Sequence, residues 1–175
     1  MKEPVKGRIG VVLVQLGTPA SPDAKGVRDF LKVFLGDPRV VDFNPFLWKI
    51  ILNLFILPTR PKKVAEAYQK IWDGESFPLE RHSANYAKAL EEELNGSEEH
   101  HFLVRWAAVI GKPSLESVFE ELFEERCERI RIIPQFPQYS EATTTSVWDR
   151  LDVALAKVEW PNGVVREQVE HYESN

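Results

Sequence analysis

The chain has 175 residues, of which 43% are hydrophobic and 28% charged, a composition typical of one globular domain rather than a disordered chain. Lys and Arg total 22 against 27 Asp and Glu, so the formal net charge of -5 excludes a general nucleic-acid binder, which needs a dense basic face. The single cysteine, Cys127, excludes an internal disulfide and a cysteine-rich metal cluster. Since no secretory signal precedes the first strand, we expect a cytoplasmic protein.

The first predicted element is a strand at Arg8–Gln15 (RIGVVLVQ), which is apolar at both odd and even positions. Such a run is typical of a strand buried on both faces of a parallel sheet. Ser21-Pro22-Asp23 then predicts the start of a helix that ends at Gly36-Asp37-Pro38. Further helices are predicted from Pro61 onward and over Arg81–Leu94.

One apolar segment, Phe46–Leu57, is interrupted only by Lys49 and Asn53, which share one helical face. It is shorter than the roughly 18 residues that a membrane span requires. The spacing leaves three interpretations open, namely a buried core helix, a hydrophobic lid and an interfacial anchor.

The alternation of strands and helices continues to the end of the chain. Strands are predicted at His101–Ile110, Arg129–Pro134 and Val164–Val169, and helices from Leu115 and over Ser140–Val158. This alternation predicts a single α/β domain over residues 1–175, with a parallel sheet covered by helices on both faces.

In such sheets, ligands bind at the carboxyl ends of the strands, which here are followed by the loops Leu16–Ser21 and Gln135–Thr145. The first loop has one glycine, so it lacks a glycine-rich motif that binds phosphate. It is either a plain turn or a binding site of another kind. The second is rich in hydroxyls and is either a helix cap or a binding loop.

No arrangement of histidines or acidic residues matches a known metal motif. The four histidines lack helical metal-ligand spacing, and Cys127 has no matched base, so neither a metal site nor a cysteine nucleophile is expected. The acidic runs Glu91–Glu93 and Glu120–Glu125 are interpreted as solvated helix faces.

Four ordered blocks of sequence resemble the ferrochelatase family: LVQLGTP, VRDFLKVFLGDPRVV, ILPTRPKKVAEAYQKIW and PQFPQYSEATTTSVWD. The resemblance extends from about Gly10 to Asp149 and implies a Rossmann-like three-layer α/β/α domain, the first of two similar domains with a porphyrin cleft between them. It also implies insertion of ferrous iron into a protoporphyrin-type ring in haem biosynthesis. Porphyrin and iron would be substrates, and no resident cofactor is implied.

The resemblance also implies which residues face the porphyrin. Arg60 and Tyr68 match positions that bind a porphyrin carboxylate, which suits a guanidinium and a phenol. Leu16 would point toward the macrocycle, and the implied substrate-binding set is Leu16, Arg60, Tyr68, Ser76, Tyr139 and Ser140. The apolar segment becomes the lip of the cleft, with peripheral membrane contact as a hypothesis: Phe46, Leu47, Ile50, Ile51 and Leu54.

Several positions depart from the family pattern. Phe77 stands in place of the serine of a Gly-Ser-Pro-Leu element, Val109 replaces an arginine, Phe136 replaces a tyrosine, and Gln15 differs from the usual residue. The metal-handling histidine and glutamate of the family lie in its second half, and no residue after the PQYS element matches either.

We therefore expect one wall and the lip of a porphyrin cleft, with no catalytic or metal-binding residue and no activity for this chain alone. The missing C-terminal half or self-association would cover the open side of the cleft. Two alternatives stay open: a non-catalytic tetrapyrrole-binding module, and a chelatase for another metal or tetrapyrrole.

Overall fold

The computed structural model describes residues 5–96, 101–136, 145–156 and 165–168. Their centre is a sheet of four parallel strands in the order β2-β1-β3-β4. The strands are β1 (Val5–Gly17), β2 (His101–Ile110), β3 (Cys127–Pro134) and β4 (Val165–Gln168). The predicted α/β fold with a parallel sheet is confirmed.

Helices cover both faces of this sheet, because the side chains of β1 alternate between two apolar clusters. Val11 and Leu13 pack toward Ala87 of α4 (Pro78–Leu94), whereas Val12 and Val14 pack with α5 (Leu115–Glu124) and α6 (Ser146–Leu155). The result is the three-layer α/β/α arrangement that the resemblance implies.

Three further helices lie between the end of β1 and the start of α4. They are α1 (Ala24–Leu35), α2 (Pro45–Ile51) and α3 (Leu57–Ile71), and a π-helical turn over Leu52–Ile56 joins the last two. The indole N–H of Trp48 donates to the Leu35 carbonyl over 2.7 Å, which ties α2 to the end of α1. We call residues 24–71 the helical cap.

The start predicted for α3 is wrong by one turn. Proline favours the first turn of a helix, which is why Pro61 marks the start in the sequence. In the structure Pro61 is buried inside a helix that begins at Leu57 and continues from the π-helical turn. The helix predicted over Ser140–Val158 is described only as α6, since residues 137–144 and 157–164 lie outside the described part.

Most glutamates of the two acidic runs are exposed, as predicted, and Glu91 is half-buried. A carboxylate oxygen of Glu91 accepts from the Val104 amide at 2.7 Å and from the Arg105 guanidinium at 2.8 Å. The same guanidinium donates to Glu121 over 2.6 Å. Glu91 and Glu121 therefore form part of the contact between β2 and the two helices beside it.

Candidate functional site

A cleft of about 600 Å³ opens between the helical cap and the layer formed by β2, α5 and α6. This volume lies within the usual range of small-molecule sites, about 300 to 1,000 Å³. Its walls are formed by residues from four elements and one turn: Lys32, Val33, Gly36, Asp37, Pro38, Val109, Leu115, Glu116, Asp149, Arg150 and Val153.

Among the residues that the structure describes, two ion pairs join the helical cap to α6 at this cleft. Arg150 lies 3.5 Å from a carboxylate oxygen of Asp37, whose side chain is only 11% exposed. Arg39 lies 3.0 Å from a carboxylate oxygen of the more exposed Asp149. Val109 makes part of the wall apolar.

The carboxyl end of β1 turns sharply beside β2. Gly17 has a φ of 95°, and a Cβ atom there would lie 1.9 Å from the Ile110 carbonyl oxygen. The next residue, Thr18, is only 7% exposed, and its hydroxyl donates to a carboxylate oxygen of Glu80 over 2.5 Å. The LGTP loop is therefore held by a close backbone approach and by a hydrogen bond to α4.

Glu80 also connects this loop to an aromatic cluster. Its second carboxylate oxygen accepts from the Phe77 amide at 3.2 Å. The buried Phe77 ring contacts Tyr68 and Trp72 edge-on, with ring centroids 5.4 Å and 4.7 Å apart. Burial raises the pKa of the Tyr68 phenol, so this group stays a neutral hydrogen-bond donor at physiological pH.

The segment between Tyr68 and Phe77 is a tight turn built on one carboxylate. Asp73 accepts from the Ser76 and Glu75 amides at 2.8 Å and 3.0 Å, and it also pairs with Arg81. The two amide hydrogen bonds lower the pKa of the Asp73 carboxyl. The Ser76 hydroxyl lies 3.5 Å from the same carboxylate, so this turn holds Ser76 beside the aromatic cluster.

Two of the predicted binding residues thus lie in the aromatic region, and a third is connected to it through Thr18 and Glu80. Leu16 precedes the loop that Thr18 ties to α4, and Tyr68 and Ser76 flank Phe77. Arg60 is exposed on α3, eight residues before Tyr68 and about 12 Å from it along the helix axis. These four residues do not line the 600 Å³ cleft, and Tyr139 and Ser140 lie outside the described residues.

The sequence analysis missed Thr18, Glu80, Asp37 and Arg150. Glu80 does carry a local signal, because it stands three residues after the residue that precedes α4, where a glutamate commonly caps a helix. Asp37 and Arg150 are separated by 113 residues, and no local pattern could pair them.

The segment Phe46–Leu57 is not a buried core helix, so that interpretation is wrong. Only Leu52 and Leu57 are buried, whereas Phe46, Leu54 and Phe55 are 73%, 66% and 64% exposed. Of the other predicted lip residues, Leu47 and Ile50 are exposed and Ile51 is half-buried. Within the described residues, no helix is long and apolar enough to cross a bilayer.

No cluster in the described part of the chain has the composition of a metal site. No three His, Cys, Asp or Glu side chains there are placed to hold an ion, and His82 and His101 are exposed. Cys127 is buried, and burial raises the pKa of its thiol to about 11, so it remains protonated near neutral pH.

Comparison with known proteins gives consistent matches to one family. The sequence model of the ferrochelatase family matches residues 8–175. The chain is 44% identical over 153 residues to a ferrochelatase of Teredinibacter turnerae, covering 87% of the chain and 42% of the relative. It is 45% identical over 150 residues to a coproporphyrin III ferrochelatase of Streptococcus mutans, covering 86% and 47%.

A ferrochelatase of a Psychrobacter species is 47% identical over 145 residues, covering 82% of the chain and 42% of the relative. The chain therefore spans less than half the length of these three relatives. Because the family model covers nearly the whole chain and the fold has the implied three layers, the chain belongs to the ferrochelatase family.

Proposed function

We propose that this chain provides one wall and the lip of a porphyrin cleft in a complete ferrochelatase. In that enzyme, ferrous iron would be inserted into a protoporphyrin-type ring during haem biosynthesis. The observation that carries the proposal is the link from the loop after β1, through Thr18 and Glu80, to the aromatic cluster of Tyr68, in a member of this family. The exposed apolar residues of the lip lie on the helices that precede this cluster in the chain, as an apolar macrocycle with carboxylates at its edge would require.

The wall would bind and orient the macrocycle rather than carry out proton transfer. A neutral Tyr68 phenol can donate to a propionate, and the Arg60 guanidinium can form a bidentate pair with the two oxygens of another propionate. Leu16, held by the LGTP loop, would contact the ring face. The Thr18–Glu80 hydrogen bond supports this assignment, because it joins the loop of Leu16 to the cluster that contains Tyr68.

Metalation also requires a base that removes two pyrrole protons and groups that bind the entering iron. We propose that these groups come from outside these 175 residues, as the resemblance implies, and that the remaining half of the enzyme or a second copy covers the open side of the cleft. The share of each relative that the chain spans, 42% and 47% for the first two, supports this proposal.

Two experiments test the wall and the missing base separately. Quenching of tryptophan fluorescence on titration with protoporphyrin should show binding, and Arg60→Met should weaken it about tenfold, as expected for loss of one charge-assisted pair. Arg28→Met, at an exposed position on α1, is the matched control and should bind like wild type. Equal affinity of the two variants would contradict the assignment of Arg60.

The second experiment follows formation of fluorescent zinc porphyrin by the chain alone. We expect none above the uncatalysed background, and turnover at the rate of a complete ferrochelatase would show that the base lies within these residues. Zinc porphyrin formation by the complete protein would exclude the alternative of a non-catalytic tetrapyrrole-binding module. Coproporphyrin, which carries more carboxylates, belongs in both assays because one relative is named for it.

The lip supports one further part of the proposal, namely peripheral contact of an otherwise cytoplasmic protein with a membrane surface. Phe46, Leu47, Ile50 and Leu54 form a continuous exposed apolar face at helical spacing. Exposed apolar patches of this kind are typical of surfaces that contact a protein or a bilayer. Such contact would place the cleft where an apolar macrocycle can enter from the membrane.

A further inference from the structure

A second, smaller pocket shares Lys32, Gly36 and Pro38 with the cleft and lies against the lip. It encloses about 280 Å³ between the end of α1 and the start of the lip. We call it the α1–α2 pocket, and it is lined by Lys32, Gly36, Pro38, Val41, Phe43, Pro45, Trp48, Lys49, Leu52 and Asn53.

The apolar part of this pocket is fixed in place by the helical cap. Trp48 is held by the hydrogen bond from its indole to the Leu35 carbonyl, at 2.7 Å. The Phe43 ring contacts Trp48 edge-on, with ring centroids 6.3 Å apart. Leu52 is buried, so the pocket has a preformed aromatic and aliphatic surface.

The charged part consists of two lysines from different helices. Lys32 lies in the last turn of α1, and Lys49 lies in the last turn of α2. Within the described residues, neither ammonium group takes part in an ion pair. Two unpaired cations above an apolar surface are complementary to an anion that is attached to a hydrocarbon.

The position of the pocket indicates where such an anion would come from. Lys49 lines the pocket and belongs to α2, the helix that also carries the exposed lip residues Leu47 and Ile50. If those lip residues enter the interfacial region of a bilayer, the lysine lies at the depth of the lipid headgroups, and Trp48 has the residue type favoured at that depth.

Size and charge distinguish a lipid from the porphyrin. A volume of about 280 Å³ is below the usual range for sites that enclose a drug-sized molecule, so it suits a phosphate with its glycerol rather than a macrocycle. The net charge of -5 would repel an anionic surface, so attraction to one must come from a local arrangement of cations.

We propose that the α1–α2 pocket binds the phosphate headgroup of an anionic membrane lipid, with Lys32 and Lys49 pairing with the phosphate. Phe43 and Trp48 contact the adjoining carbons of the lipid. This proposal rests on the membrane contact proposed for the lip and adds the lipid class and the residues that select it. It does not depend on the assignment of Arg60 or Tyr68 to the porphyrin.

The test is binding of the chain to lipid vesicles, measured by co-sedimentation at low salt. One set of vesicles contains phosphatidylcholine alone, and the other contains equal parts of phosphatidylcholine and phosphatidylglycerol. We expect wild type to prefer the anionic set, and the double variant Lys32→Gln/Lys49→Gln to bind it about thirtyfold more weakly, since each basic residue near an anionic surface contributes about fivefold. Raised salt should remove most of the difference.

The matched control is Lys25→Gln/Lys70→Gln, which removes the same charge from two exposed positions outside the pocket. It should keep nearly all of the anionic preference, and a loss equal to that of the pocket variant would overturn the proposal. Thermal unfolding of both variants establishes that they are folded.

The remaining outcomes separate this proposal from the one on which it rests. Equal binding of wild type to both vesicle sets would leave the lip contact standing and refute the headgroup site. Binding to neither set would refute the lip contact and the headgroup site together. Displacement from anionic vesicles by millimolar inorganic phosphate would show a site for free phosphate and would also overturn the proposal.

Discussion

At the scale of single residues, the Thr18 hydroxyl makes a hydrogen bond to a residue 62 positions later in the chain. It is buried, and the 2.5 Å hydrogen bond to Glu80 joins the end of β1 to the start of α4. Thr18→Val removes the hydroxyl and keeps the shape, leaving one carboxylate oxygen without its donor. We expect a loss of about 2 kcal/mol in the free energy of unfolding, measured by urea denaturation.

Thr18→Ser is the control for this prediction, because it keeps the hydroxyl and should cost less than about 1 kcal/mol. A double-mutant cycle with Glu80→Ala isolates the pair, and we expect a coupling free energy of about 1 to 2 kcal/mol. Additive effects of the two substitutions would show that the hydrogen bond contributes nothing.

Cys127 gives a prediction about pH. Burial raises the pKa of its thiol to about 11, above the ordinary value, so the folded state holds this proton more tightly than the unfolded state. The resulting stabilisation is complete below about pH 9 and is lost as the pH rises toward the folded pKa. We expect the difference in unfolding free energy between wild type and Cys127→Ala to shrink over that window.

Chemical denaturation at a series of pH values measures this difference, and ionisations shared by the two proteins cancel in it. A difference in unfolding free energy that stays constant up to pH 11 would contradict the raised pKa of the Cys127 thiol. The same burial predicts that a thiol reagent modifies Cys127 only in denaturant.

The residues that the sequence could identify are those whose role depends on near neighbours. Asp23 is an example, since its side chain accepts from the Gly26 amide over 2.7 Å and starts α1 where the pattern places it. The half-burial of Glu91 is not predicted by its acidic run, because its partners Val104 and Arg105 belong to the following strand. Charge patterns along a helix do not reveal contacts that only the packed sheet creates.

At the scale of the elements, the ends of β1 and β2 lie so close together that the last residue of β1, Gly17, has no room for a side chain. A Cβ atom on Gly17 would lie 1.9 Å from a backbone oxygen of Ile110, and its φ of 95° is unfavourable for other residues. We expect Gly17→Ala to lower the free energy of unfolding by more than about 3 kcal/mol, since backbone strain and a backbone clash add.

Gly74 offers a matched control, because its φ is 104° and a Cβ atom there would meet nothing within 4 Å. Gly74→Ala should therefore cost only the backbone strain, about 1 kcal/mol. The difference between the two variants in urea denaturation measures the close approach of the strands. Equal losses of unfolding free energy in the two variants would mean that the ends of β1 and β2 can move apart without an energetic cost.

The central strand β1 could be predicted because it is a nearly continuous apolar run, and the structure places β2 at His101–Ile110 as expected. Whether the lip is buried or exposed could not be predicted, because the spacing of apolar residues is the same for a helix that faces a core and one that faces solvent. Which side of Phe46–Leu57 is covered depends on Trp48 and Leu52 docking against the end of α1, a contact that no local pattern encodes.

At the scale of the whole molecule, the cleft exists because the helical cap is anchored at two separate places. Its first helix follows β1, and its last leads through the Asp73 turn into α4, so the cap is tied to the sheet at both ends. Across the cleft, side-chain contacts join it to α6, and among the described residues these include Arg150 with Asp37 and Arg39 with Asp149.

The pair of Arg150 and the mostly buried Asp37 should therefore control how far the cap opens. Arg150→Met keeps the length and apolar stem of the side chain while removing the charge, at a cost of about 1 kcal/mol for this partly exposed pair. That cost corresponds to about a fivefold rise in local opening. We expect amide hydrogen exchange at Val40 and Val41, which donate to the Asp37 carbonyl, to accelerate by that factor.

Amides of β1 at the centre of the sheet should exchange as in wild type, because their protection depends on global unfolding rather than on cap movement. Lys88→Met is the control, since it breaks an exposed pair with Glu92 within α4 and leaves the cap untouched. Uniform acceleration of β1 and of the turn at Val40 in the Arg150→Met variant would show general destabilisation. Unchanged exchange at Val40 would show that the remaining cap contacts hold the cleft without this ion pair.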